Sequence, residues 1–274
     1  MFLSAAGATH PGLRRPGNED AAYVGVRLLL VADGMGGAAF GEVASAIATH
    51  AVTYLDERIS PQGVGHDLPA AVEFAEQRLR RAVEQDPSLD GMGTTMTALL
   101  LHDEVVALVH VGDSRAYRVH DGALEQVTRD HSVVQLLVEL GELTPEQAEN
   151  HPQRHVIVKA LRGEGDAVAA DVRLLPGVPG DRWMVCSDGV SDVVPDDVIA
   201  AALTQAPSPE AAVDALVDAA LAAGGPDNVT CVVADVRAGL PAAERPALLL
   251  GAAAELDAAG RRRLGTTQPL PQQG

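Results

Sequence analysis

Four times in this chain an apolar segment or a glycine turn delivers an aspartate to a loop: Asp33-Gly34, Gly112-Asp113, Asp188-Gly189 and Pro226-Asp227-Asn228. The first is the plainest, because the run Leu28-Leu29-Leu30-Val31-Ala32 ends abruptly in Asp33-Gly34-Met35-Gly36-Gly37. Short aliphatic runs bounded by turn residues read as buried strands, and glycines after an acid let the backbone approach a ligand closely. One Asp-Gly is an ordinary strand-to-loop turn. Four acids at the same kind of junction imply strand ends converging on one rim, and Glu19-Asp20 adds a fifth acidic site. Carboxylates brought that close repel one another unless they are protonated or bridged by cations, and all-oxygen ligands suit Mg²⁺ or Mn²⁺. A binuclear centre of hard metal ions is the expectation.

Other chemistries fit less well. The nine histidines are scattered and the two cysteines, Cys186 and Cys231, lie in separate apolar segments, so zinc has no ligand cluster, with His131 and His155 as secondary candidates. There is no Gly-x-Ser-x-Gly elbow, no Walker-type phosphate loop and no cysteine framed as a nucleophile. The formal net charge of -18 opposes binding to nucleic acid or anionic membranes, and 3% aromatic residues leave little to stack on bases. Two cysteines in a chain of 274 residues make no disulfide framework and point to a reducing cytoplasm. The N-terminus lacks a basic segment before an apolar one, and no apolar run approaches the ~20 residues that span a bilayer.

Read in order, the chain predicts a first strand over 2–9, a polar loop at 14–20, a hairpin over 21–26 and 27–32, and helices over 38–59 and about 68–84. Residues 95–127 read as an antiparallel meander. Residues 131–163 turn helical and charged, with Thr144 capping a helix whose first position is Pro145, which predicts an inserted flap. Strands follow at 168–174 and 183–187, helices at about 196–203 and 209–223, and a last strand at 229–236. Beyond Ala238 the chain is rich in Ala, Pro, Gln and Gly and continues no strand pattern. The expected organisation is one domain over 1–238 and a flexible tail over 239–274, with a short helix within 247–259 and a solvated basic triplet at Arg261-Arg262-Arg263.

The ordered set RxxNED, DGMGG, GTT, GDSR, SDGxSD and GPDN resembles the metal-dependent type 2C serine/threonine protein phosphatases of the bacterial branch, over about residues 4–237. The resemblance implies an α+β fold, a β-sandwich of two antiparallel sheets flanked by helices (α-β-β-α), with a metal cleft at one edge. By position, it implies that Asp33 bridges two ions, that the Gly34 carbonyl binds one of them, and that Asp188 and Asp227 bind the other. Glu19 is a further ligand, direct or through water, and Asp20 orients neighbours or takes that contact itself. Arg15 matches the phosphate-binding arginine, whose forked donors suit phosphate oxygens. Asp113, Asp188 and Asp192 match a third, weaker metal site. Thr94, Thr95, Ser114 and Asn228 are expected to order the ligands through hydrogen bonds.

Met35 stands where many eukaryotic relatives carry His, so no general acid is supplied there. The flap exit, Val158-Lys159-Ala160-Leu161-Arg162-Gly163, also departs from the usual Thr-Arg-Ala-Leu-Gly. The implied reaction is hydrolysis of phosphoserine or phosphothreonine in proteins by a metal-activated water, without a phosphoenzyme. A pseudophosphatase that binds phosphoproteins without turnover is the alternative, and intact Asp33, Asp188 and Asp227 argue against it. The implied partners are phosphorylated targets of Ser/Thr kinases, met by a monomer in the cytoplasm.

Overall fold

The computed structural model describes residues 1–36, 40–60, 62–164, 168–241 and 246–260. Gly37, the expected helix start at residue 38 and the triplet 261–263 lie outside the described residues. Two antiparallel sheets face each other. The first is ordered β1 (Phe2–His10), β12 (Val229–Arg237), β11 (Arg182–Cys186), β8 (Arg115–His120), β9 (Ala123–Gln126). The second is ordered β10 (Asp171–Pro176), β7 (Val105–Val111), β6 (Met96–His102), β3 (Leu28–Ala32), β2 (Ala21–Val24), β13 (Leu248–Gly251).

Strand alternation divides the interior into three apolar layers. Leu29 and Val31 point between the sheets, where they meet Trp183, Val185, Val232 and Ala234. Leu28 and Leu30 point the other way, under α1 (Gly41–Val52) and α2 (Val64–Gln85), with Ile47, Leu55, Leu68 and Leu79. Met184, Cys186, Cys231 and Val233 form the outer face of the first sheet, covered by α6 (Asp196–Gln205) and α7 (Pro209–Ala222). A strand apolar on both faces shows no alternation in sequence, which is why Leu28 to Ala32 reads as an unbroken run. The layers are therefore α-β-β-α, as the resemblance implies. Cys186 and Cys231 sit opposite each other on β11 and β12 as buried free thiols.

Several expectations need correction. The segment 95–127 is not one meander. β6 and β7 pair in the second sheet, the chain crosses at Gly112-Asp113-Ser114, and β8 and β9 pair in the first. The helix expected to reach residue 59 stops at Val52 and tightens into a 3₁₀ turn, Thr53–Asp56. There Asp56 turns its carboxylate onto the backbone N–H groups of Arg27 (2.7 Å) and Leu28 (2.9 Å), a tertiary bond that outweighs helical propensity. α2 starts a turn earlier than expected and carries Pro69 inside it, at the loss of one backbone bond.

The largest correction concerns the tail. Residues 248–251 continue the second sheet as β13, paired antiparallel with β2, and α8 (Ala252–Gly260) follows at once. A four-residue run with Leu249 towards the helix layer and Leu250 towards the inter-sheet core has no polar face to betray it. The flap holds α3 (Val133–Glu139) and α4 (Pro145–Glu149), and α4 starts as expected with Thr144 capping and Pro145 first, while the Gln147 side chain completes a capping box. Among the described residues no helix is long and apolar enough to cross a membrane.

Candidate metal centre

The site is built at the ends of strands from both sheets. β3 ends at Ala32, and the next residue is fixed through its backbone: the Asp33 N–H donates to Thr95 Oγ1 (2.9 Å), while Thr94 Oγ1 and the Thr95 N–H both donate to the Asp33 carbonyl (2.9 Å each). Thr95 Oγ1 also bonds Ser114 Oγ at 2.7 Å, which ties the Asp33 junction to the Asp113 junction. β4 (Gly34–Met35) pairs with β5 (Gly93–Thr94). A Cβ on Gly34 would lie 2.2 Å from the Gly41 carbonyl oxygen, and one on Gly41 would lie 2.6 Å from Glu19 Oε2. Only bare backbone lets the Glu19 carboxylate come this close to the start of α1.

β11 ends at Cys186, and the short helix α5 (Asp188–Ser191) follows. One helical turn returns Asp192 to the side of Asp188, and the Asp192 N–H donates to the Asp188 carbonyl at 2.8 Å. Asn228 joins the remaining acids. Its Nδ2 donates to the carbonyls of Pro11 (2.9 Å) and Gly17 (2.8 Å), and its Oδ1 accepts the Glu19 N–H (2.8 Å). One side chain thus staples the loop holding Arg15, Glu19 and Asp20 to the loop holding Asp227. Asp20 is fully buried and accepts from Ser187 Oγ at 2.8 Å, beside Asp188.

The electrostatics follow from this crowding. Burial, then the charges of Asp20, Asp188 and Asp113, holds the Asp33 carboxyl well above the usual range. Burial, then Asp113, Asp192, Asp227 and Asp20, does the same to Asp188. Burial likewise pushes Asp20 up to about 6, and Asp113 up to about 7 with help from Asp130 and Asp192. Asp20 Oδ1 and Asp113 Oδ1 are buried with no hydrogen-bond partner. Acids that raise one another and leave oxygens orphaned lack positive charge, and the donor set is almost all carboxylate, so divalent hard cations fit.

All nine residues that the resemblance marks for metal or phosphate fall at this rim or on the loops framing it. Arg15, however, is not free. Its Nη2 donates to Asp227 Oδ2 at 2.6 Å, and that bond is the main reason its pKa is raised. Met35 lies beside Gly93, with no titratable group of its own. One of the two histidines named as secondary zinc candidates is a neighbour of these acids. His155, from the flap, sets Nδ1 3.1 Å from Asp192 Oδ2, and ligand atoms of His155, Asp188 and Asp192 lie within 4.8 Å of one another. No spacing rule links a flap histidine to acids more than thirty residues away. His131 instead accepts the Gly112 N–H on Nδ1 (3.1 Å) and stacks on His110.

Residues 17–224 match the family model for protein phosphatase 2C. The chain belongs to that family. Among protein phosphatase 2C relatives it is 45% identical over 236 residues to the serine/threonine protein phosphatase PstP of Mycobacterium tuberculosis, covering 86% of this chain and 45% of that protein. The chain therefore spans about half the length of this relative. It is 31% identical to the serine/threonine phosphatase stp of Listeria monocytogenes, covering 76% of this chain and 84% of that one. The crystal structure of PstP/Ppp matches with a TM-score of 0.83 at 44% identity, covering 86% of this chain and all of the other. The PstP catalytic domain in complex with two manganese ions matches with a TM-score of 0.79 at 44% identity, covering 86% and 99%.

Proposed function

We propose that this chain removes phosphate from phosphoserine and phosphothreonine in proteins, using two manganese or magnesium ions held by its acidic rim. The observation that carries this reading is the pair Asp33 and Asp188, partly buried at the rim, whose carboxyls are both held well above the usual range by desolvation and by the charges of Asp20 and Asp113, with Asp188 raising Asp33 further. When bound, such ions make water nucleophilic near neutral pH and offset phosphate charge.

The chain's own residues do the rest. Asp33 and the Gly34 carbonyl would hold one ion, and Asp33, Asp188 and Asp227 would hold the other. Glu19 adds a ligand, and Asp20, gripped by Ser187, orients its neighbours. Arg15 receives phosphate on the donors its half-exposed guanidinium keeps beyond the Asp227 bond, and that same bond holds Asp227 in place. Asp113, Asp188 and Asp192 would hold a third, weaker ion, with His155 of the flap close to Asp192. The Met35 side chain itself offers the leaving oxygen no proton.

A binding-only reading has nothing in its favour, since none of the acids it would have to lose is missing. The substrates proposed are targets of Ser/Thr kinases in cytoplasmic signalling, and an excess of acid disfavours nucleic acid and anionic membranes as partners. The test is hydrolysis of a phosphothreonine peptide with Mn²⁺, Mg²⁺ or excess chelator. Turnover with either ion and none with chelator is expected. Full turnover in chelator, or none with both ions, overturns the reading.

A further inference from the structure

The Glu19–Asp20 corner is held from behind by a part of the chain that lies beyond the family match, which ends at residue 224. The ladder between β13 and β2 runs Leu248↔Val24, Leu249↔Tyr23, Leu250↔Ala22 and Gly251↔Ala21. It then continues one bond further, because the Ala252 N–H, the first of α8, donates to the Asp20 carbonyl at 2.8 Å. Asp20 precedes the strand, so this bond reaches the acidic loop itself. Gly251 makes the approach possible: its φ is +60°, and a Cβ there would lie 2.2 Å from the Asp20 carbonyl oxygen.

The next contacts are with α1. Ala252 and Ala253 are buried against Ala21 and Ala46, and His50 on α1 bonds the Ala253 carbonyl at 3.0 Å. α1 holds the other half of the corner, since Ser45 Oγ donates to the Glu19 carbonyl at 2.5 Å and Gly41 lies against the Glu19 carboxylate. The C-terminal segment thus grips Asp20 directly and Glu19 through α1. Leu250 packs between the sheets and Leu249 against the helices, so the grip is anchored on both faces.

We propose that β13 and α8 form a strap that positions the Glu19–Asp20 corner, so that full affinity for the principal divalent ions depends on residues 248–253. This rests on the metal-dependent reading above. Plain cover for the β2 edge would be the duller role, and it requires the ladder but not the bond to Asp20. Backbone partners of ligand loops act as outer support, whose loss costs 10–100-fold in metal affinity or activity.

The test is manganese binding to the full chain, wild type and Gly251→Ala, by calorimetric titration, with melting of the chelated proteins measured alongside. A chain ending at Gly239 is the second variant. Wild type is expected to bind two ions tightly. Gly251→Ala should weaken one of them by about tenfold and, because its Cβ meets the Asp20 carbonyl, lower the melting temperature of the chelated protein, though by less than loss of the whole strap. The shorter chain should melt lower and show the same or a larger loss of affinity. Unchanged manganese affinity in Gly251→Ala, whatever its melting temperature, overturns the strap's role, and if the shorter chain does not fold the point variant decides. Failure of wild type to bind manganese would instead overturn the metal reading itself.

Discussion

The acidic rim and the flap beside it are built on opposite principles. At the rim nearly every acid is tied by backbone: Asp33 by Thr94 and Thr95, Glu19 by Asn228 and Ser45, Asp192 by Asp188. In the flap, α3 buries only Val134 and α4 buries nothing, and Leu136, Leu140, Val156 and Val158 are exposed. The flap is fixed mainly at its base, where Ser132 bridges Ile157 and Leu161 bridges Thr94. Glu76 on α2 adds bonds to the N–H groups of Arg162 (3.1 Å) and Gly163 (2.7 Å). A rim so braced supplies fixed geometry, whereas a thinly packed flap opens at low free-energy cost and is suited to meeting varied protein surfaces.

Substitutions should separate the two regions by the size of their effects. Asp33→Asn should lower phosphopeptide turnover on the order of 10³-fold or more, since metal stabilisation worth several kcal/mol is lost. Calorimetric titration should show at least one manganese ion lost; retained stoichiometry and turnover would break the assignment of Asp33 as the bridge. Arg15→Ala should cost on the order of 10²-fold in kcat/KM if it meets charge developing on phosphate. Because Arg15 also bonds Asp227, manganese affinity should fall modestly, and a loss confined to metal binding would reassign Arg15 to holding Asp227.

Asn228→Ala removes three bonds between the two ligand loops and should reduce turnover by 10–100-fold while lowering the melting temperature. His155→Ala should change turnover only several-fold and leave the two tight ions in place. Its visible effect should be on a weaker manganese ion followed by electron paramagnetic resonance, and no change in that signal would detach the flap from the third site.

The smallest effect is a pH dependence that the rim alone should show. In chelated protein the raised carboxyls of Asp20, about 6, and Asp113, about 7, bind more protons folded than unfolded between about pH 4 and those values. Stability then falls as pH rises through that window and levels off above it. The melting temperature of chelated protein should be lower at pH 8 than at pH 5, and saturating manganese should remove the difference. A rise with pH in chelator would mean that these acids are not crowded.

Much of the rim was legible because its parts are local. An apolar run, an acid and a glycine sit together at Asp33-Gly34, and each such junction announces a strand end without reference to its neighbours. The Thr144-Pro145 helix start was readable for the same reason. What the sequence hid is what depends on distant partners. The Asp56 carboxylate ends a helix by bonding a turn some thirty residues earlier. His155 reaches Asp192 only after the flap folds back. β13 carries no polar alternation because both of its faces meet apolar layers, and its small companions Ala252 and Ala253 resemble the low-complexity tail around them.

The cysteine pair gives the first sheet a clock. Cys186 and Cys231 face each other across β11 and β12, fully buried, with burial holding Cys186 up at about 12 and Cys231 higher still. Neither thiol meets an alkylating reagent, or forms appreciable thiolate, until those strands part. Alkylation therefore times the opening of the sheet that carries Asp188 and Asp227 on its strand ends, and it is blind to any movement of the flap. Bound manganese should slow that clock in proportion to how firmly it joins the two sheets.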